Sequence, residues 1–220
     1  MLRIAHDLRK MAERGRPTRS SPTAAACASV RECPLVPDEL RQDDGVLVVL
    51  ISGPIASGKS ALSRAVAAQL EEAGVASAAV IELDLVYEIL DRGPKADERV
   101  WAQARRIAGR FGGVLLGEGR AVVVEGGDFG TEAALAEFES ELPPEAAVKL
   151  VLLSVDFETA LKRARRDDSR GVSKDRAFLA AHYATFRAEW PGRDVLNLDT
   201  GSASLAETPR SVVDRLALPP

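Results

Sequence analysis

The sequence predicts an α/β fold: three layers, α/β/α, around a five-stranded, mostly parallel sheet. Three observations predict it. From Gly45 onward, short apolar, β-branched runs alternate with longer segments of helical period. The runs are apolar at successive residues, as strands buried on both faces are. Between the first run and the first helix, Gly53-Pro54-Ile55-Ala56-Ser57-Gly58-Lys59-Ser60 fits the phosphate-loop pattern G-x-x-x-x-G-K-[ST] without a mismatch.

The elements follow in order. Residues 46–52, Val-Leu-Val-Val-Leu-Ile-Ser, have strand length and composition. Gly53 and Gly58 let the chain turn tightly and aim its N–H groups inward. A helix over 59–73 repeats Leu62, Val66, Leu70 and Ala73, and its N-terminus adds partial positive charge at the loop. Gly74 suits the position just past that helix. Strands are expected at 76–83, 120–125, 148–154 and 194–198. Helices are expected at 84–91, 96–117, 131–140, 157–168, 174–189 and 204–217. Thr131 and Asp156 are candidate N-caps.

Residues 1–44 read as an N-terminal extension to a domain at 45–220. Gly15 to Pro37 is rich in Pro, Ser, Thr, Ala and Arg, with little to bury, so disorder is expected. The basic, Ser/Ala-rich start has a transit-peptide character that Asp7 and Glu13 oppose.

Of 220 residues, 46% are hydrophobic and 28% charged, an ordinary balance for a soluble globular chain. No apolar run approaches the roughly 18 residues of a membrane span. The net charge of −4 is uneven: residues 1–31 hold seven Arg/Lys against two Asp/Glu, leaving 22 against 31 beyond them. An acidic globular part argues against nucleic acid as partner. Cys27 and Cys33 both lie in the extension and fit no zinc spacing, which suggests a reducing, cytoplasmic setting.

Ligands of open α/β sheets bind beyond the carboxyl ends of the strands, so the residues after each strand are the site candidates. Lys59 can reach the β- and γ-phosphates of a nucleotide, and the Ser60 hydroxyl can ligate Mg²⁺. Asp84 could accept a proton from an acceptor hydroxyl, or cap the helix that follows. Glu125 can hold water on Mg²⁺, and Asp128 competes with it for metal or acceptor. One of the two could instead fix the Gly126-Gly127 turn. Residues 162–170 carry five bases against two acids. Arg163, Arg166 and Arg170 suit phosphate contacts from a lid, while Lys162 and Arg165 suit solvent. His182 reads as a packed or solvated histidine. Trp101 and Trp190 read as packing or as an acceptor-pocket wall.

On these residues the chain resembles the small P-loop kinases of the AAA-33 and chloramphenicol-phosphotransferase-like kind, neighbours of shikimate, gluconate and adenylate kinases. The matching parts are the loop 53–60, the acid in Ile81-Glu82-Leu83-Asp84, the block at 122–126, the arginines from Arg163 to Gly171, and Asp199-Thr200. They span about residues 45–218. The resemblance implies the P-loop NTPase fold with an arginine lid, and ATP and Mg²⁺ as cofactors. It implies ATP binding by Gly53, Ala56, Ser57, Gly58, Lys59, Ser60, Ala61, Arg163, Arg166, Arg170 and Thr200. Lys59, Asp84, Arg163 and Arg166 would be catalytic, Ser60 and Glu125 would serve the metal, and Asp84 and Asp128 the acceptor. The usual Asp-Gly after the third strand is here Glu125-Gly126.

The expected activity is phosphoryl transfer from ATP to a hydroxyl of a small molecule, an antibiotic or another metabolite, by a monomer or homodimer. A nucleotide acceptor would need arginines for a second phosphate, with Arg92, Arg99, Arg105, Arg106 and Arg110 available. A regulatory module with slow hydrolysis would need switch segments, and none is evident.

Overall fold

Five parallel strands form one sheet in the computed structural model, which describes residues 46–72, 74, 76–93, 97–201 and 208–216. The expected extension over 1–44 lies outside the described residues. The strands are β1 (Leu47–Ser52), β2 (Ala78–Glu82), β3 (Ala121–Glu125), β4 (Ala147–Ser154) and β5 (Val195–Asp199), in the order β2-β3-β1-β4-β5. Every pairing is parallel. The helices are α1 (Lys59–Glu72), α2 (Leu83–Leu90), α3 (Glu98–Gly117), α4 (Glu132–Glu139), α5 (Phe157–Arg166), α6 (Arg176–Thr185) and α7 (Thr208–Leu216), with a 3-10 turn at Val172–Lys174.

Strand side chains alternate between faces, and helices cover both. On one face Val48, Leu50, Val122, Val124 and Leu150 pack with Tyr87, Trp101, Ala104, Leu135 and Phe138 from α2, α3 and α4. On the other, Val49, Ile51, Val123, Val151 and Leu153 pack with Leu62, Val66 and Leu70 of α1 and Val212 and Val213 of α7. The three-layer expectation therefore holds, with a sheet that is wholly parallel. Both tryptophans are packing residues: Trp101 lies 4.3 Å from the Tyr87 ring, and Trp190 donates to Phe129 O at 2.8 Å.

Element ends differ from expectation for local reasons. Gly74 follows α1 with φ 69°, as a C′ glycine does. Thr131 and Asp156 cap their helices, accepting from Ala134 N and Thr159 N. α2 begins at Leu83, with Glu82 at the cap position making no side-chain cap bond. Asp84 thus sits inside the first turn and is not the cap. α5 stops at Arg166 because the Asp167 carboxylate turns back to Ser169 N and Arg170 Nε. The helix expected over 174–189 ends at Thr185, since Glu189 N is drawn to Gly130 O.

Two glycines of α3 separate packing from propensity. A Cβ on Gly109 would stand 2.3 Å from Phe138 O and 3.0 Å from the Glu141 Cβ, so α3 and α4 approach there only without a side chain. A Cβ on Gly113 would meet Glu141 O at 3.4 Å, an ordinary contact. Alanine gains up to ~1 kcal/mol of helix propensity over glycine, and overpacking costs about 1–3 kcal/mol. Gly113→Ala should raise the melting temperature by roughly 2–4 °C. Gly109→Ala should lower it. Thermal melts of the two variants check both signs.

Candidate active site

The parallel sheet brings all five strand ends to one edge, with Glu125 level with Ile51 and Glu82. There the loop between β1 and α1 walls a cavity of about 200 Å³. Ile55, Ala56, Gly58, Lys59, Ser60 and Ala61 come from that loop and the start of α1, and Asp84, Glu125 and Arg170 complete the lining. The first four N–H groups of a helix have no intrahelical acceptor, and the helix dipole favours an anion beside them. α1 presents that end to the cavity.

The turn of the loop is steric. Gly53 has φ 157°, and a Cβ there would stand 2.8 Å from Leu153 O and from Ser57 Oγ. Ala56 takes φ 61°, a left-handed conformation that costs an L-residue roughly 1–2 kcal/mol. The surroundings must therefore hold it there. Ser57 is fully buried, and its hydroxyl, like that of Ser52, has no hydrogen-bond partner among the described residues.

Lys59 Nζ donates to Gly53 O at 2.9 Å and to Pro54 O at 3.2 Å, lying across the loop. Burial lowers its pKa; Glu125, Asp84 and Asp128 oppose that shift and Arg170 adds to it. Ser60 Oγ donates to Glu125 Oε1 at 2.7 Å. Burial raises the Glu125 pKa against the pull of this bond and of Lys59. A hydroxyl beside a carboxylate is a hard-oxygen pair of the kind Mg²⁺ takes along with water and phosphate. Asp128 lies outside the cavity lining, but burial, with Asp84 next in effect, pushes its pKa up to about 6.

The arginines part company. Arg170 lines the cavity and holds Asp167 at 3.0 Å. Arg163 turns to Thr200, donating to its Oγ1 at 3.0 Å and its carbonyl at 2.7 Å. The Thr200 hydroxyl in turn reaches Ser57 O at 2.8 Å. Thr200 is thus a brace for the loop, and Arg163 acts on it at one remove. Arg166 is exposed and outside the cavity lining. The buried stripe of α5 is Ala160, Leu161 and Ala164, and the helical period sets Arg166 almost opposite it. Lys162 and Arg165 are exposed, as expected.

Two contributors, His182 and Tyr183, are not among the expected site residues, and a third, Arg105, is expected only as one of five arginines for a second phosphate. His182 Nε2 accepts from Ile55 N at 3.1 Å, and the Tyr183 hydroxyl donates to Ile55 O at 3.0 Å. Arg105, buried in α3, donates to Glu137 at 2.7 Å, to Glu98, and to the Asp128 carbonyl at 2.9 Å. It positions the 126–128 turn from behind. Among these three, only Arg105 carried a sequence signal, a base within a helical stripe of small and apolar residues.

No protein-family model and no curated protein matches the chain. Solved structures do. An APS kinase from Mycobacterium tuberculosis, in complex with AMPPNP and APS, is 21% identical with TM-score 0.61, covering 78% of this chain and 97% of its own. A gluconokinase from Sinorhizobium meliloti 1021 is 18% identical with TM-score 0.57, covering 79% and 93%. A sugar kinase from Janibacter sp. HTCC2649 is 18% identical with TM-score 0.55, covering 77% and 90%. The chain has the P-loop kinase fold. Among the described residues, no helix is long and apolar enough to cross a membrane.

The raised Asp128 pKa has a consequence for stability. A carboxyl with a higher pKa folded than unfolded favours the fold below its unfolded pKa of about 3.8 and loses that contribution as pH rises through about 6. Asp128→Asn removes the charge. In protein free of Mg²⁺ and nucleotide, it should melt above wild type at pH near 8, with a gain that shrinks toward pH near 5. Melts at the two pH values check the sign.

Proposed function

We propose that this protein is a kinase that transfers the γ-phosphoryl group of ATP to a hydroxyl of a small molecule. The convergence of Lys59, the Ser60–Glu125 pair, Asp84 and Arg170 on one cavity at the phosphate loop carries the reading. The fold shared with sugar, gluconate and APS kinases supports it. The narrower kinship with AAA-33 and chloramphenicol-phosphotransferase-like kinases rests on the motifs alone. An antibiotic or another hydroxylated metabolite is the acceptor class, and the cytoplasm the setting.

The chain's own groups divide the work. The amides from Gly58 to Ala61 receive phosphate oxygens. Lys59 leaves the Gly53 and Pro54 carbonyls for the β- and γ-phosphates, and Arg170 reaches the same charge from the 167–171 turn. Ser60, with Glu125 behind it, would hold Mg²⁺, which neutralises phosphate charge when bound. Asp84, in the lining of the same cavity, takes the acceptor's proton. Asp128 borders the acceptor. Of the arginines that a second phosphate on the acceptor would need, Arg105 already holds three acceptors, Arg110 pairs with Glu141 at 2.7 Å and Arg106 lies 3.8 Å from Glu137, while Arg92 and Arg99 are exposed.

A panel of hydroxyl compounds, assayed for acceptor-dependent ADP release, tests the reading. Lys59→Ala should abolish transfer and leave the melting temperature nearly unchanged, because the loop carbonyl contacts and carboxylate attractions it loses are offset by removing a charge that burial disfavours. Turnover near wild type in that variant would sink the kinase reading.

Asp84→Asn keeps the side chain's size but cannot take a proton. Single-turnover transfer should slow by roughly 10²–10⁴-fold, while ATP affinity, measured by calorimetry, holds. An unslowed step would move the base to Glu125 or Asp128.

A further inference from the structure

The phosphate loop is gripped by a distant helix, whose bonding residues lie 127 and 128 positions beyond Ile55. Ile55 N–H donates to His182 Nε2 at 3.1 Å, and Ile55 O accepts from the Tyr183 hydroxyl at 3.0 Å. The two bonds fix successive peptide planes on either side of one Cα. They come from adjacent residues of α6. Apolar packing backs the grip: Ala56 is buried with Val155, Leu161, Ala164 and Leu179, and Ile55 and Tyr183 pack against that cluster.

A ring nitrogen that accepts from an N–H carries no proton, so the imidazole is neutral with its proton on Nδ1. Burial and the Lys59 charge favour the same state, holding the pKa below the ordinary 6.5. We infer that His182 is a positioning residue for the phosphate loop: its unprotonated Nε2, with the Tyr183 hydroxyl, sets the Ile55 peptides and so the aim of the amides that follow. The inference rests on the kinase reading for what those amides bind, but not for the grip itself.

The grip explains how Ala56 is kept left-handed. Ile55 is fixed on one side of it by α6, and Ser57 on the other by Thr200. Freed at Ile55, the turn can relax its alanine, and the amides beyond lose their common direction.

Protonation would undo the grip. An imidazolium presents N–H to the Ile55 N–H, donor against donor, and sets a positive charge toward Lys59. The charges that reach the pair are Lys59 from α1, acting on His182, and Arg163 and Asp156 from the α5 side, acting on Tyr183. Tyr183, pushed up to about 12 by burial, keeps its proton throughout. Loop order should therefore fall with pH through the His182 titration, below 6.5.

The test compares wild type, His182→Gln and His182→Ala. A glutamine oxygen can accept from Ile55 N–H and does not titrate. In nucleotide-free protein, Ile55 amide protection by NMR hydrogen exchange should drop several-fold, by up to about tenfold, in wild type between pH near 7.5 and pH near 5.5. His182→Gln should stay protected at both, and His182→Ala at neither. Calorimetry with Mg-ATP should show wild type losing at least about fivefold in affinity at the lower pH relative to His182→Gln, a comparison that cancels the nucleotide's own titration. If His182→Ala does not fold, Tyr183→Phe should still weaken Mg-ATP by about three- to tenfold. Equal Ile55 protection in wild type and either variant lacking a bond overturns the grip. Protection as stated with unchanged Mg-ATP affinity overturns the positioning role. A protected Ile55 in a wild type that binds no Mg-ATP leaves the grip standing and overturns the kinase reading.

Discussion

Backbone amides can serve as a binding site only while something else keeps them pointed. That constraint organises this molecule. The residues from Gly53 to Ser60 include two glycines and an alanine in a left-handed conformation, and they cannot hold their own shape. β1 fixes where the loop starts, because it lies between β3 and β4 and is covered on both faces. The buried stripe of α1 fixes where it ends. Between those anchors, Lys59 ties down the Gly53 and Pro54 carbonyls from within the loop, and from outside it α6 holds Ile55 and Thr200 holds Ser57.

Burial and charge compete at Lys59 and at Glu125, and burial is the larger effect at both. Three carboxylates favour a charged Lys59, yet its pKa is lowered. Ser60 and Lys59 favour a charged Glu125, yet its pKa is raised. Charges held against dehydration are ready to exchange partners, because none is fully satisfied by those it has. Under the kinase reading, these carboxylates would repel a triphosphate, and a divalent cation on the Ser60–Glu125 side would offset part of that repulsion.

The fold was legible because its signals are local. Strands buried on both faces write themselves as apolar runs such as Val122-Val123-Val124, and the helices of this chain repeat at their own period. The loop was legible because steric need restricts it to few residue types. Errors arose where the outcome depends on distant partners. Glu82 and Asp84 are both acids at a strand end, and nothing nearby says which one begins the helix. Arg163 and Arg166 look alike in sequence, and only the position of Thr200 and the buried stripe of α5 separate them. His182 and Tyr183 sit in a helix with ordinary composition, and their contact with Ile55 exists only after the sheet has assembled. Arg105 stood among five interchangeable candidates until its three acceptors singled it out.

The sheet order also sets a timetable for the newborn chain. β1 is among the first strands to leave the ribosome, yet its neighbours are late: Val48 waits for Val122, and Leu47 for Ala147. At roughly 5–20 residues per second, translation takes on the order of 5–20 s to deliver the second of them. For that interval Val-Val-Leu-Ile lacks its β4 neighbour, though α1 can already shield one of its faces and β3, once made, can pair along one edge. A chain whose central strand is made well before either of its neighbours has reason to depend on chaperones during synthesis, however stable the finished protein is.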